Sequence, residues 1–245
     1  NFAALYAYYL ASPLNWLVIL CPKAYIIEFM TGMIVVKIGL SGLSFAWYLR
    51  KHCHTETAAV GYFGIFYALS GYMAAYSWNI MWMEVMMMLP LILYGVDKLI
   101  KEHDGRFYCI TLFISLWCNF YMSYMTCLFL ILWYLLYPHK NIKEFFQNGL
   151  RFAGYSLLSG AMAAVVLLPA YLGIMQTSSA KLDFPKELWY GTFGNIFSRH
   201  LLGTTPLTMA VDDSKINLYC GILTLLMAGF YLAVRAVSYT HLRAH

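Results

Sequence analysis

A single carboxylate interrupts an apolar and aromatic stretch that runs from Ser70 to Pro90. This acid is Glu84, and it follows a short polar break at residues 77–79. An ionisable group inside a membrane-type segment costs about 2.5–3.5 kcal/mol on insertion scales, so it usually has a function or a stabilising partner. Glu84 is therefore a candidate general base, a coupling-ion site or the partner of an intramembrane lysine, and a snorkelling interfacial acid is the alternative.

Several residues are candidates to accompany Glu84. Lys37 lies in another apolar stretch and is either the counter-ion of Glu84 or a cation that binds phosphate. Trp78 and Trp82 are four residues apart, which suits an interfacial aromatic belt or a platform for the face of a sugar. Asn79 lies between them and belongs to the same polar break.

Polar residues further along the chain extend this set. Asn119 and Tyr121 interrupt a strongly apolar run, where an amide either binds a ligand or forms a hydrogen bond between helices. Arg199 lies in a polar stretch over residues 174–217. It is a candidate to bind a lipid phosphate by charge-assisted hydrogen bonds, and a solvated loop surface is the alternative.

The composition indicates the class of protein that carries these residues. Of 245 residues, 62% are hydrophobic and 11% are charged, whereas a soluble domain has about 25% charged residues. We therefore expect a multi-pass membrane protein. The basic residues form no patch with interleaved aromatics, so we expect no nucleic-acid partner. The six cysteines form no CxxC pair and the histidines no HExxH pattern, so we expect neither a metal nor a cofactor.

The apolar stretches predict an all-α, polytopic transmembrane helical bundle, because about 18 or more apolar residues can cross a bilayer as a helix. The polar residues 174–217 predict an extracytoplasmic loop. The predicted spans cover residues 32–49, 57–77, 80–97, 107–137, 152–173 and 218–234.

The basic loops predict the topology. They span residues 50–56, 98–106 and 138–151, and the positive-inside rule places all three on the cytoplasmic side. Residues 57–97 and 107–137 then each form a hairpin, the second broken near Asn119 and the first placing Glu84 toward the outer face. Each arm of 107–137 would span about 23 Å of a core about 30 Å thick, which requires thinned membrane or a buried break. One long tilted helix is the alternative.

Both ends of the sequence are expected to be incomplete. The chain begins at Asn1 in the middle of an aromatic segment, and residues 237–245 (VSYTHLRAH) resemble translated sequencing-adapter read-through. We therefore expect a partial domain over residues 1–234 that is truncated at its N-terminus.

Four separated motifs resemble, in the same order, the bacterial YfhO family. They are AYYLASPLNWLVILCP (7–22), FYALSGYMAAYSWNIMWMEVMMMLPLILYGVDKLI (66–100), SLWCNFYMSYM (115–125) and NLYCGILTLL (217–226). That family is similar to the GT-C class of glycosyltransferases, which are multi-spanning enzymes of the cytoplasmic membrane. The resemblance implies transfer of a sugar from a polyprenyl-phosphate carrier to an envelope polymer such as lipoteichoic acid, outside the membrane.

The resemblance also implies a site. A base deprotonates the acceptor hydroxyl, while cations or amides stabilise the departing lipid phosphate. The principal acid of such enzymes usually lies in the first outer loop, which we expect to precede Asn1, so Glu84 is expected to be a supporting acid. Arg199 or Lys37 is expected near the phosphate. The residues expected to bind substrate are Tyr9, Asn15, Trp78, Asn79, Asn119, Tyr121 and Asn217.

Two other functions fit the same residues. A transporter or flippase of a lipid-linked envelope precursor would use an intramembrane acid and a broken helix such as the one at 107–137, although no internal repeat is visible. A non-catalytic membrane scaffold is the third reading, and it predicts that no single polar change at the outer face alters envelope sugar content.

Overall fold

The computed structural model describes residues 2–176, 192–199, 201 and 225–234. Every element in these residues is helical, which confirms the all-α prediction for this part of the chain. Asn217, the adapter-like tail at 237–245 and most of the predicted outer loop lie outside the described residues.

The N-terminal region consists of short helical turns. Pro13 occupies the first position of one turn, where its missing N–H costs nothing, and Pro22 precedes the last turn. These turns are α1 (Phe2–Leu5), a π-helical turn (Tyr6–Leu10), α2 (Pro13–Trp16) and 3-10 turns at Leu17–Leu20 and Lys23–Tyr25.

The remaining chain forms longer helices. They are α3 (Ile26–His52), α4 (Ala59–Ala68), α5 (Gly71–Tyr76), α6 (Met83–Glu102), α7 (Arg106–Cys118), α8 (Phe120–Leu136), α9 (Ile142–Met162), α10 (Ala164–Met175) and α11 (Phe193–Ser198), and residues Leu225–Val234 are also helical.

The helices depart from several of the predicted spans, and α6 begins three residues after the start of the span 80–97 and ends five residues beyond it. Helix α3 extends the span 32–49 at both ends, and the span 57–77 is divided into α4 and α5. The span 152–173 falls on α9 and α10, which meet at an angle of 76° at Ala163. No proline lies at this bend, although Pro169 follows within α10.

Among the described residues, one helix, over Lys23–His52, is long and apolar enough to cross a membrane, and the bent pair α9–α10 adds a second if it forms one span. Helices α7 and α8 are apolar but shorter. The polytopic arrangement therefore stays a prediction.

The chain divides into two compact units. One contains residues 1–68 and 79–182, and the other contains residues 69–78 and 183–245. All the buried polar clusters described below lie in the first unit.

Helix α6 lies at the centre of the first unit. Its residues Ile92, Val96 and Leu99 are fully buried in a core that also receives side chains from α3, α7 and α8. Gly95 permits a close approach of α7, because a Cβ there would lie 2.6 Å from the Cα of Tyr108.

Helices α7 and α8 form an antiparallel pair. Helix α7 begins beside the end of α6, where Gly95 contacts Tyr108. Helix α8 ends at the same place, since the Tyr137 hydroxyl donates to Asp97 of α6 at 3.0 Å. The chain reverses at Asn119, between the two helices. This geometry has the form of the hairpin predicted over 107–137, and its double crossing of a membrane stays a prediction.

The outer surface of this unit is apolar. Large side chains such as Leu136, Leu150 and Val165 are more than 70% exposed. Soluble monomers rarely expose extensive apolar patches, so these helices have the surface of a protein in contact with lipid.

Candidate functional site

A buried ion pair joins α3 to the start of α6. The Nζ atom of Lys37 lies 2.6 Å from Oε1 of Glu84, and the two side chains are 0% and 1% exposed. Two charges withdrawn from water to this extent depend on each other, because removing either one leaves the other buried and unpaired. Glu84 also lies in the first turn of α6, where the helix dipole favours a negative charge.

Lys37 uses all its hydrogen-bonding capacity inside the protein. Besides Glu84, its Nζ donates to Oδ1 of Asn15 at 2.7 Å and to the carbonyl oxygen of Ile80 at 3.0 Å. An ammonium has three N–H donors and each has an acceptor here. The structure thus places Lys37 as the counter-ion of Glu84, and a phosphate would have to displace one of these acceptors to reach it.

The two oxygens of Glu84 have different surroundings. Oε1 accepts from Lys37 and from the Ser12 hydroxyl. Oε2 is buried and has no hydrogen-bond partner among the described residues. A buried acceptor without a hydrogen bond costs roughly 1–3 kcal/mol of stability, so a donor that bonded to Oε2 would be favoured.

Asn79 has a similar free group. Its side chain is 4% exposed, and its Nδ2 has no partner within the described part of the chain. Its backbone carbonyl accepts from the Trp82 amide at 2.9 Å, which fixes the turn that leads into α6. Just before and within the first turn of α6, the protein thus holds one unpaired donor and one unpaired acceptor.

Aromatic side chains lie near the N-terminal end of α6. The Trp82 indole donates to the Tyr8 hydroxyl at 3.0 Å, and the rings of Trp82 and Tyr121 are 6.1 Å apart. Tyr8 also packs against Tyr9, with ring centroids 4.7 Å apart. Tyr9 and Tyr121 are 48% and 43% exposed, so this group presents aromatic surface outward.

Two predicted amides hold the N-terminal turns. Asn119 is fully buried; its Oδ1 caps α8 by accepting from the Met122 amide at 2.9 Å, and its Nδ2 donates to the Tyr8 carbonyl at 3.1 Å. Asn15 accepts from Lys37 and donates to the Tyr9 carbonyl at 3.3 Å. Both amides therefore position the aromatic residues around the ion pair.

The comparison with protein families bears on the whole chain. The model of the bacterial membrane protein YfhO matches residues 1–244. The chain belongs to the YfhO family. This confirms the resemblance seen in the four motifs and shows that the protein is a membrane protein. No curated protein and no solved structure matches the sequence.

Three of the predicted site residues of this YfhO-family chain do not belong to the described residues of the first unit. Trp78 belongs to the second unit, is 60% exposed, and donates its indole N–H to the Ala75 carbonyl at 3.1 Å. Arg199 also belongs to the second unit, and Asn217 lies outside the described residues. Their roles stay predictions.

The sequence reasoning missed Ser12 and a second buried acid. Asp97 is 3% exposed, bonds to Nδ1 of His52, and accepts from Tyr137. It joins the ends of α3, α6 and α8. The sequence did contain a signal for Asp97, because it is an acid at the edge of a predicted span, 13 residues after Glu84. The sequence contained no such signal for Ser12, because a single hydroxyl among short turns follows no periodic pattern.

Proposed function

We propose that this chain is part of a multi-pass glycosyltransferase of the bacterial cytoplasmic membrane. It would move a sugar from a polyprenyl-phosphate carrier to an envelope polymer such as lipoteichoic acid, on the outer side of the membrane. Membership of a membrane-protein family supports the setting. The buried cluster around Glu84 supports the chemistry.

The observation that carries this proposal is the asymmetry of the Glu84 carboxylate. Lys37 and Ser12 hold Oε1, while Oε2 remains unpaired. A carboxylate fixed in this way can accept a hydrogen bond from a hydroxyl of the acceptor or the sugar and orient it for displacement at the anomeric carbon. Glu84 thus acts as a supporting acid that positions a hydroxyl.

The aromatic residues supply a surface for the sugar. Tyr9 and Tyr121 are partly exposed beside the cluster and offer apolar rings with polar hydroxyls. The departing phosphate would be stabilised by Lys37 after exchange of one of its present acceptors, and Arg199 stays a predicted phosphate ligand. The unpaired Nδ2 of Asn79 would donate to a sugar oxygen.

The test is Glu84→Gln, assayed in membranes that contain the protein, with a radiolabelled polyprenyl-phosphate sugar. We expect transfer to polymer, normalised to the amount of protein in the membrane, to fall by about 10²-fold, as for loss of a positioning contact. Glu28→Gln is the matched control, because Glu28 is an exposed acid at the start of α3.

A second variant keeps the test independent of folding. Ser12→Ala removes a hydrogen bond to Oε1 without leaving a charge unpaired. We expect roughly tenfold slower transfer for a loosened carboxylate. Wild-type transfer by both variants would overturn the assignment of Glu84.

A flippase of a lipid-linked precursor is the second candidate, favoured by the buried Lys37–Glu84 pair inside an apolar helical unit. The product distinguishes the two functions. Labelled sugar bound covalently to polymer supports the transferase, whereas lipid-linked sugar that only changes leaflet supports the flippase. A scaffold predicts that the protein catalyses neither reaction and that none of these variants alters the sugar content of the envelope.

A further inference from the structure

An open groove of about 290 Å³ lies between the end of α3 and the start of α4. It belongs to the first unit and is far along α3 from the ion pair of Lys37. Its lining is apolar along its length and polar at one end. The lining residues are Leu43, Ala46, Trp47, Arg50, Thr55, Glu56, Thr57 and Val60.

One face of α3 forms the apolar wall. Leu43, Trp47 and Arg50 are spaced i, i+4 and i+7, so they lie along the same side of the helix. The Trp47 ring is held edge-on by Tyr94 at 4.8 Å, and Leu43 is 66% exposed. Val60 closes the groove from α4.

The polar end carries one ion pair. Nε of Arg50 donates to Oε1 of Glu56 at 3.0 Å, and its Nη2 bonds to Oε2. The hydrogen bond from Arg50 lowers the pKa of Glu56, so both groups are charged at neutral pH. The side chains are 54% and 78% exposed, and a pair this exposed to solvent is weak and easily exchanged.

We propose that this groove binds an anionic phospholipid of the leaflet that contacts the basic loops. The phosphate would take the place of Glu56 on the Arg50 guanidinium, whose planar fork binds phosphate and carboxylate in the same bidentate manner. Thr55 and Thr57 offer hydroxyls beside it. One acyl chain would lie along Leu43 and Trp47.

Two features of the chain favour a lipid as the occupant. The chain belongs to a family of membrane proteins. In a membrane, acyl chains cover an exposed apolar wall such as that of the groove. Its polar end follows directly on a helix that is long enough to span, and Lys51 adds a second cation next to Arg50. Basic residues at such a helix end attract anionic head groups.

Glu56 allows lipid binding in the groove to be distinguished from attraction to surface charge, because Glu56 competes with the phosphate for Arg50. Neutralising Glu56 should strengthen lipid binding, and neutralising Arg50 should weaken it. If the anionic lipid were attracted only by the overall positive charge of this surface, neutralising any residue of the same charge on this side would change lipid binding equally.

The experiment measures binding of phosphatidylglycerol to the full chain in phosphatidylcholine nanodiscs by native mass spectrometry. We expect Arg50→Gln to weaken binding at least about tenfold and Glu56→Gln to strengthen it about threefold to fivefold. The matched controls are Arg106→Gln and Glu102→Gln, which make the same charge changes in another basic loop and should alter binding less than twofold.

A groove-filling variant tests the acyl chain. Val60→Trp leaves every charge in place and should weaken phosphatidylglycerol binding at least about fivefold. Equal effects of Arg50→Gln and Arg106→Gln would overturn the proposal in favour of surface charge. Undiminished binding by Val60→Trp, with full competition by glycerol phosphate, would overturn it in favour of a head-group site without a chain.

Discussion

Lys37 and Glu84 are two charges in an apolar helical core, and each is tolerated because the other is there. Their side chains are almost completely buried, so the attraction between them is offset by the cost of removing both from water. Such a pair contributes little net stability. The pair fixes the position of α3 relative to the start of α6. It leaves Oε2 of Glu84 without a partner among the described residues, so this oxygen can accept a hydrogen bond from a ligand.

This balance predicts a strong coupling between the two residues. Lys37→Met or Glu84→Met alone should lower the free energy of unfolding by about 3–5 kcal/mol, because the partner becomes an unpaired buried charge. The double variant should recover more than half of that loss. Thermal unfolding in detergent measures all three. Additive losses in the double variant would contradict the pairing.

Asn119 caps a helix and also makes a tertiary hydrogen bond, and Asn141 serves as a comparison for the cap. Asn141 caps α9 by accepting from the Glu144 amide at 2.9 Å, in the same way that Asn119 caps α8. Asn119 is also fully buried and donates to the Tyr8 carbonyl. One amide performs a common capping role, and the other performs that role and a tertiary one.

We therefore expect unequal effects of the same substitution. Asn141→Ala should cost about 1 kcal/mol, the usual value of a cap. Asn119→Ala should cost at least about 1 kcal/mol more, since it also removes a partly buried hydrogen bond to the Tyr8 carbonyl. Chemical unfolding measures both, and equal losses would show that the contact with Tyr8 contributes nothing.

Helices α3 and α4 pack closely against each other through small residues. A Cβ on Gly42 would lie 2.9 Å from both the Gly64 carbonyl oxygen and the Ala68 Cβ. A Cβ on Gly64 would lie 2.8 Å from the Gly42 carbonyl oxygen. Each helix thus carries a small-xxx-small pattern at the contact, which is a common way for helices to pack in membranes.

This packing predicts a difference between two glycines of one helix. Gly42→Val should destabilise the protein by about 1–3 kcal/mol or more, because the nearest atoms are the Gly64 carbonyl oxygen and the Ala68 Cβ, and neither can move aside without a shift of the backbone. Gly39→Val is the control, since nothing lies within 4 Å of a Cβ there. Thermal unfolding of both variants tests the contact, and equal losses would contradict it.

Helix positions were more predictable than helix breaks. The apolar run after Trp82 predicted α6, and the polar Asn119 in an apolar run marked the reversal between α7 and α8. The 76° bend at Ala163 follows the pair Ser159 and Gly160 by about one turn of helix, and such pairs are common at helix kinks. Because an isolated glycine is also tolerated inside a helix, the apolar pattern over residues 152–173 predicted one continuous span.

Across the whole molecule, the polar clusters occupy opposite ends of α6. Glu84 and Asp97 are 13 residues apart, which corresponds to about 20 Å along the helix. The sequence suggested Lys37 as a partner of Glu84, because both lie in apolar stretches. It did not suggest Ser12, which is 72 residues from Glu84, or the pairing of Asp97 with His52, because hydrophobic periodicity does not specify side-chain partners at long range.

The two ends of α3 offer a test of how the molecule lies in the membrane. Cys21 precedes this helix and is partly exposed, while Cys53 directly follows it and is exposed. The 27 residues of α3 span about 40 Å, which exceeds the hydrocarbon thickness of about 30 Å. If α3 crosses the membrane with its basic end inside, the two thiols face different compartments.

We expect opposite labelling of two single-cysteine variants by a membrane-impermeant maleimide. The variant that retains Cys21 should react in intact cells, and the variant that retains Cys53 should react only in inverted vesicles, since Arg50 and Lys51 place that end in the cytoplasm. Permeabilised cells serve as the control, because both thiols should then react. Labelling of both variants in intact cells would show that α3 does not span, and the reverse pattern would place Glu84 on the opposite side from the proposed sugar transfer.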